Sequence, residues 1–349
     1  MIAPCAREGN RMANPQVAVV IAARNSARTI GWAIGSALRQ PEVAEVLVMD
    51  DASDDDTASA AEDADDGTGR LSVHPLDTNR GPAAARNIAI SRSSAPFIAI
   101  LDADDAFLDG RFGNLFAETD WDLAADNIMF VDEKAATRVA EVRTHQFDTA
   151  PGYYLTLDEF VHGNISRRGE HRGELGFLKP VISRSFLDRH GLRYAEDLWL
   201  GEDYELYVRA MQRGARFRIT RSCGYLATVR SDSLSGSHRT EDLRRLADAD
   251  VALLRAHDLP KSARAALEKH ERHVRDKYRL RRFLDHKSTQ GLAPAFTYAF
   301  SSVRHPMPIV RGVLGDKMRS FRNRLAPALG NDGPPVRFLL PAQVEPRDN

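Results

Sequence analysis

Three acidic groups in this chain have types and spacings suited to chemistry on an anionic ligand: Asp50-Asp51, Asp102-Ala103-Asp104-Asp105 and Glu202-Asp203. Carboxylates as close as those of 102–105 repel one another, and a divalent cation relieves the repulsion. Mg2+ or Mn2+ takes oxygen ligands and commonly only one or two protein carboxylates, leaving positions for diphosphate oxygens and water. Asp104 and Asp105 are the candidate ligands, and the ion would neutralise charge on a departing nucleotide diphosphate. The same run would also serve as an acidic helix-capping turn. His238 is a third possible ligand, although a loop histidine in solvent fits its setting equally well.

Asp51, with Asp50 beside it, can accept a hydrogen bond from a base N–H or a ribose hydroxyl. The pair also reads as solvated carboxylates before a helix starting at 54–57. Arg24 and Arg86 are candidate phosphate contacts or ordinary ion-pair partners. Glu202-Asp203 precedes a helical stretch, where the helix dipole stabilises negative charge. Asp203 there can take a proton from an attacking hydroxyl, with Glu202 in support; helix capping alone would explain the pair too. The hydroxyl-rich loop Arg230–His238 is suited to closing over phosphates, and Cys223 reads as a small core residue.

The elements that must position these groups alternate. VAVVIAA (17–23) is a buried β-branched run. A helical stripe through Ile30, Ala33, Ile34, Ala37 and Leu38 follows and stops before Pro41. EVLVMD (45–50), a helix over 57–64, LSVHPL (71–76), a helix opened by Gly81-Pro82 and PFIAILD (96–102) continue the pattern. Strands alternating with helices predict an α/β fold with a mostly parallel, doubly wound, Rossmann-like sheet, whose ligands bind beyond the carboxyl ends of the strands. Those ends carry Ala23-Arg24-Asn25, Asp50-Asp51 and Asp102–Asp105, which the topology concentrates in one ligand site with its metal. Residues 131–180 show little periodicity and are assigned to acceptor-side loops. Leu206, Ala210 and Met211 line a helix that Gly214 ends.

Composition sets the frame. With 43% apolar and 28% charged residues, the 349-residue chain can build one large domain and an appendage. Its net charge of −1 hides an asymmetry: residues 261–325 hold 16 Lys/Arg against five Asp/Glu, and the first 260 carry a net −11. An acidic front argues against nucleic acid as a partner. Cys5 and Cys223 form no disulfide framework or metal-ligand spacing, the stretch before Val17 lacks an apolar signal core, and no window is long enough to span a bilayer. These features predict a cytoplasmic protein, peripheral on the inner face of the membrane. The predicted organisation is a flexible 1–14, a catalytic domain over 15–240, a basic helical extension over 241–325 and a disordered tail over 326–349. The extension's Arg and Lys near Phe283, Phe296, Tyr298, Phe300 and Val310 suit an anionic membrane surface, and equally a solvated helix packed on the catalytic domain or on an oligomer partner.

The segments VAVVIAARN, VLVMDDASDDDT, NRGPAAARNIAI, AILDADD and GEDYELYVRAM, in this order, resemble the family 2 glycosyltransferases of GT-A fold over residues 15–240. The resemblance implies that Asp51 and Asp104 contact uracil and ribose, that Asp105 ligates the metal and that Asp203 is the base of an inverting transfer from a UDP-sugar. TVRSDSLSGSH and the overall length are also similar to glucosyltransferases that build bacterial succinoglycan-type exopolysaccharides on a lipid-linked intermediate. That similarity implies glucose as the sugar and a lipid-linked saccharide as the acceptor. The absence of a Q/RxxRW motif and of spanning helices implies addition of a single sugar. A metal-dependent nucleotidyltransferase would place similar carboxylates beside a nucleotide but needs a glycine-rich basic loop after its first strand, which Arg24-Asn25-Ser26 does not supply. A non-catalytic membrane-peripheral scaffold is the remaining alternative.

Overall fold

The computed structural model describes residues 15–132, 152–166, 174–229, 238–256, 258–302, 305–314 and 336–340. The predicted flexible 1–14 and the part of the phosphate-closing loop over 230–237 lie outside these. The chain divides into two compact units, Met1–Glu196 with Glu202–Arg230 and Val336–Asn349, and Asp197–Gly201 with Ser231–Pro335.

Among the described residues the first unit is built on one ten-stranded sheet. Its first half is the predicted parallel one: β1 (Val17–Ala23) pairs with β2 (Val43–Asp50) and β4 (Phe97–Ile100), and β2 pairs with β3 (Leu71–Pro75). Flanked on both sides, β1 is buried along nearly its whole length, which explains its unbroken apolar sequence. The helices α1 (Ile30–Leu38), α2 (Thr57–Glu62) and α3 (Pro82–Arg92) join these strands. Register decides the level of the strand ends. Ala23 lies opposite Asp50 and Val20 opposite Ile100, so the chain leaves β1, β2 and β4 along one edge of the sheet.

The second half is mixed. Here β5 (Ala106–Phe107), α4 (Arg111–Leu115), β6 (Leu123–Asp132), β7 (Tyr153–Leu155), α5 (Leu157–His162), β8 (Val181–Ser183), α6 (Arg184–Arg189), α7 (Glu202–Gln212) and β9 (Phe217–Val229) follow in the chain. β8 is antiparallel to β4 and β6, whereas β6 and β9 run parallel. Part of the stretch predicted as irregular, 131–180, thus carries regular elements. The predicted structureless tail over 326–349 is corrected at one place: Val336–Phe338 forms β10, antiparallel to Met129–Val131 of β6. The short β8 covers only Leu123 and Ala124 of that strand, so the remaining edge of β6 is left for β10 to pair.

The second unit is helical: α8 (Thr240–Leu253), the 30-residue α9 (Lys261–Gln290), α10 (Leu292–Phe300) and a helical stretch over 306–314. α8 and α9 are held by Leu246, Ala247, Ala266 and Leu267 in the core and by the buried pair of Asp250 with His270, at 2.7 Å. No described helix is long and apolar enough to cross a membrane.

Candidate active site

α3 begins at Gly81, whose φ of 85° suits glycine, with Pro82 at its first position. Its inward face carries Ala85, Ala89 and, unusually, Arg86, a cation with 5% of its side chain exposed. A buried guanidinium requires charged partners, and three carboxylates supply them. Arg86 donates to Asp102 beyond β4 at 2.9 Å, to Glu202 at 2.8 Å and to Asp203 at 3.4 Å, both on the first turn of α7. Lys179, just before β8, closes the group with Nζ 2.8 Å from Asp203 and 3.0 Å from Asp102. Two cations therefore bridge three carboxylates drawn from opposite ends of the unit's sequence.

The electrostatics follow from that arrangement. Partial burial would raise the Asp102 carboxyl, but Lys179 and Arg86 outweigh it and hold it down to about 2. Burial would lower Lys179, yet Asp102 and Asp203 keep its ammonium above the ordinary range. Glu202 is pushed up by burial and by Asp203, against Arg86 and Lys179. Asp102 keeps 35% of its side chain exposed, which leaves one face of the group open to a ligand.

Asp105 is held separately. Its carboxylate accepts hydrogen bonds from the Tyr225 hydroxyl at 2.8 Å and from the Thr228 amide at 2.9 Å, both on β9. Tyr225 in turn accepts one from the Asp102 amide at 3.2 Å, tying the two carboxylates together. Burial, then Asp102, then Asp104 drive the Asp105 carboxyl well above its usual range. Such a carboxylate lacks a positive partner, and a divalent cation would supply one. The described residues hold no group of three or more His, Cys, Asp or Glu able to enclose a metal. Ions that take one or two carboxylates and complete their shell with diphosphate and water need no such cage, so Asp105 and the half-buried Asp104 fit this role.

The other predicted residues serve the loops around the strand ends. Asp51 accepts from the amides of Arg80 at 2.7 Å and Gly81 at 2.8 Å, fixing the entry to α3. Asp50 accepts from the Ser53 amide at 3.1 Å in a turn where Ala52 has a φ of 57°. Asn25, with a φ of 50°, donates its amide to Ser53 Oγ and accepts from the Asp54 amide. The Ala23 carbonyl accepts from the Asp51 amide at 2.8 Å. Arg24 points to the exposed Asp54, at 3.5 Å, with about a third of its own side chain in solvent. His238 belongs to the second unit, where its Nε2 lies 3.3 Å from Arg281 Nη1, a neighbouring charge that opposes cation binding there. Cys223 is fully buried among Leu108, Met129, Val131 and Leu226, and burial pushes its thiol up.

Sequence reasoning missed Lys179 and Tyr225. The one available signal for Lys179 was a lone cation inside the apolar run Phe177-Leu178-Lys179-Pro180-Val181-Ile182.

A model described as "Glycosyl transferase family 2" matches residues 18–181. The chain is 54% identical to "Succinoglycan biosynthesis protein ExoU" of Rhizobium meliloti (strain 1021), over 93% of this chain and 95% of that protein. It is 34% identical to "UDP-Glc:alpha-D-GlcNAc-diphosphoundecaprenol beta-1,3-glucosyltransferase WfgD" of Escherichia coli, over 66% of this chain and 83% of that one. Among solved structures, S. aureus TarS 1-349 in complex with UDP-GlcNAc shares the fold, with a TM-score of 0.57 at 19% identity over 81% of this chain and 78% of that one. With its GT-A sheet and helical C-terminal region, the chain belongs to the family 2 glycosyltransferases.

Proposed function

We propose that the chain transfers a single glucose, with inversion, from UDP-glucose to a hydroxyl of a lipid-linked saccharide in the synthesis of a succinoglycan-type exopolysaccharide. The observation that carries this reading is the Asp203 carboxylate, buried beside Lys179 and Arg86 and linked through Asp102 and Tyr225 to Asp105. The names of the R. meliloti and E. coli relatives supply the pathway, the UDP-glucose and the diphosphoundecaprenol-linked acceptor.

In this reading Asp203 takes the proton of the acceptor hydroxyl as its oxygen bonds to the anomeric carbon, and the bond to UDP breaks on the opposite face. Glu202 and Arg86 hold Asp203 in place. Ala23, Arg24, Asn25, Asp50, Asp51 and Asp102 surround the nucleotide sugar, and Asp104 reaches the ribose. Asp105, with Asp104, would hold Mn2+ or Mg2+, which when bound offsets charge on the leaving diphosphate. The enzyme works at the inner face of the cytoplasmic membrane, where a soluble donor meets a lipid-linked acceptor.

The test is a transfer assay with UDP-glucose, Mn2+ and a diphosphoundecaprenol-linked saccharide, followed by NMR of the new linkage. A β-linked single glucose and free UDP are expected. An α-linked product overturns inversion, and release of pyrophosphate in place of UDP overturns sugar transfer in favour of nucleotidyl transfer.

A further inference from the structure

α10 and the helical stretch 306–314 are apolar on more than one side. Inside the second unit they pack through Ala295, Ala299 and Ile309 against Phe283 of α9, with Tyr298 and Val313 at the margin. The positions left over repeat along each helix and are also apolar. Leu292, Phe296 and Phe300 recur every four residues on α10 and are 57%, 52% and 73% exposed; Met307, Val310 and Leu314 follow on the second helix at 58%, 51% and 55%. Phe296 and Phe300 stack on each other, with ring centroids 6.5 Å apart. A single exposed Leu or Phe needs no explanation, but two helices that each repeat three at helical spacing expose apolar area that water disfavours.

Charge selects what covers it. Residues 286–325 contain seven Lys/Arg and a single acidic residue, Asp316. Lys287 precedes the first apolar stripe and Arg311, exposed, lies within the second. A second copy of this chain would bring the same positive charge to the contact and repel it. An apolar stripe with Lys287 before it, Arg311 within it and a basic sequence following it matches the interfacial region of an anionic bilayer, where apolar side chains enter below the headgroups and cations stay among the phosphates.

We propose that α10 and the 306–314 helix dock this enzyme on an anionic phospholipid surface through Leu292, Phe296, Phe300, Met307, Val310 and Leu314. The inference rests on the reading that the acceptor is lipid-linked, and it names the segment that brings the protein to the acceptor's membrane.

Co-sedimentation of the full-length protein with phosphatidylglycerol/phosphatidylethanolamine vesicles tests it, beside pure phosphatidylcholine vesicles. Binding is expected to the anionic vesicles, to weaken as salt screens the basic residues, and to fall about tenfold or more when Phe296→Ser and Phe300→Ser are combined. The double variant should keep its circular dichroism and its rate on a water-soluble, short-chain acceptor. Equal vesicle binding by the double variant overturns the proposal. So does a wild-type dimer, measured by light scattering, that the double variant converts to monomer, since the face would then belong to a second copy. The soluble-acceptor rate is read separately, so failure of sugar transfer and failure of docking are distinguishable.

Discussion

Two buried sets of ions in the first unit differ in how completely they are closed. Arg111 of α4 and Asp126 of β6 are both 0% exposed and joined at 3.0 Å. The guanidinium lies over the rings of Phe107, Tyr225 and Phe112 at 4.7, 5.2 and 5.8 Å. A Cβ on Gly224 would come within 2.5 Å of Arg111 Cγ and 2.6 Å of Asp126 Oδ2, so no side chain fits there. That pair is balanced one to one and sealed. The group of Arg86, Lys179, Asp102, Glu202 and Asp203 has an extra carboxylate, Asp104 and Asp105 stand near it, and Asp102 opens to solvent. A sealed, neutral pair fits a framework; an open, negatively charged group is fitted to receive something positive. The two are also joined, because Arg111 donates at 2.5 Å to the carbonyl of Lys179 and its ring stack holds Tyr225, the partner of Asp105.

The sharpest way to break this contrast is to neutralise a carboxylate in each. Asp203→Asn should lower the transfer rate by about 10²- to 10⁴-fold, as loss of a general base does, while UDP binding measured by calorimetry and the melting temperature stay close to wild type. Near-normal turnover would remove Asp203 from the chemistry and make the open group a second framework. Asp126→Asn should act the other way. It leaves a buried guanidinium without its counter-charge and should destabilise the fold by about 3–5 kcal/mol in denaturant titrations. Replacing both partners, Arg111→Met with Asp126→Leu, should restore most of that stability. It should not restore full activity, because the Lys179 carbonyl loses its donor.

Lys179 offers a finer test through pH. The folded-state carboxyl of Asp102 is held down to about 2 by Lys179 and Arg86, below its ordinary value of about 3.9. Its ionised form therefore contributes stability that is present above about pH 4 and is lost as pH falls towards 2. Lys179→Met removes the larger of the two attractions. The acid limbs of both stability and activity should then move to higher pH. An unchanged acid limb would show that Arg86 alone sets the charge of Asp102.

Much of this frame was legible in the sequence, and for definable reasons. β1 to β4 alternate with helices at short spacing, and parallel register places their ends together, so Ala23, Asp50 and Asp102 could be assigned to one edge without coordinates. The family segments also marked Arg86 and Asp203, residues 117 apart that are ion-pair partners in the fold. Lys179 was hidden because β8 has three residues and pairs antiparallel between two strands, β4 and β6, that both lie far earlier in the sequence, which no periodicity reveals. Tyr225 was hidden because its neighbours on β9 are equally apolar and only the pairing with β5 points its hydroxyl at Asp105. β10 was hidden because the reason it forms lies in an edge of β6 about two hundred residues earlier. Chemistry-bearing residues at strand ends are readable; those placed by mixed pairing are not.

Asp105 yields the smallest expected effect and separates the two ion sets most cleanly. Burial, Asp102 and Asp104 raise its proton affinity in the fold, so at neutral pH its ionised form costs the metal-free protein stability. The sign is opposite to that of Asp102: the protonated form is favoured in the fold, so the cost grows as pH rises above the ordinary carboxyl value and is complete above the raised one. Asp105→Asn keeps one acceptor oxygen, for the Thr228 amide, and turns an NH2 group towards the Tyr225 hydroxyl, while removing the charge. Without divalent ions the variant should be more stable than wild type by about 1 kcal/mol, the size typical of relieving a strained functional site. Adding Mn2+ and UDP should reverse the ranking, because ligands that bind only the folded wild type raise its melting temperature. If the Asp105→Asn substitution lowers stability in the absence of metal, the carboxylate is a structural acceptor like Asp126, and the difference between the open and the sealed set disappears at this position.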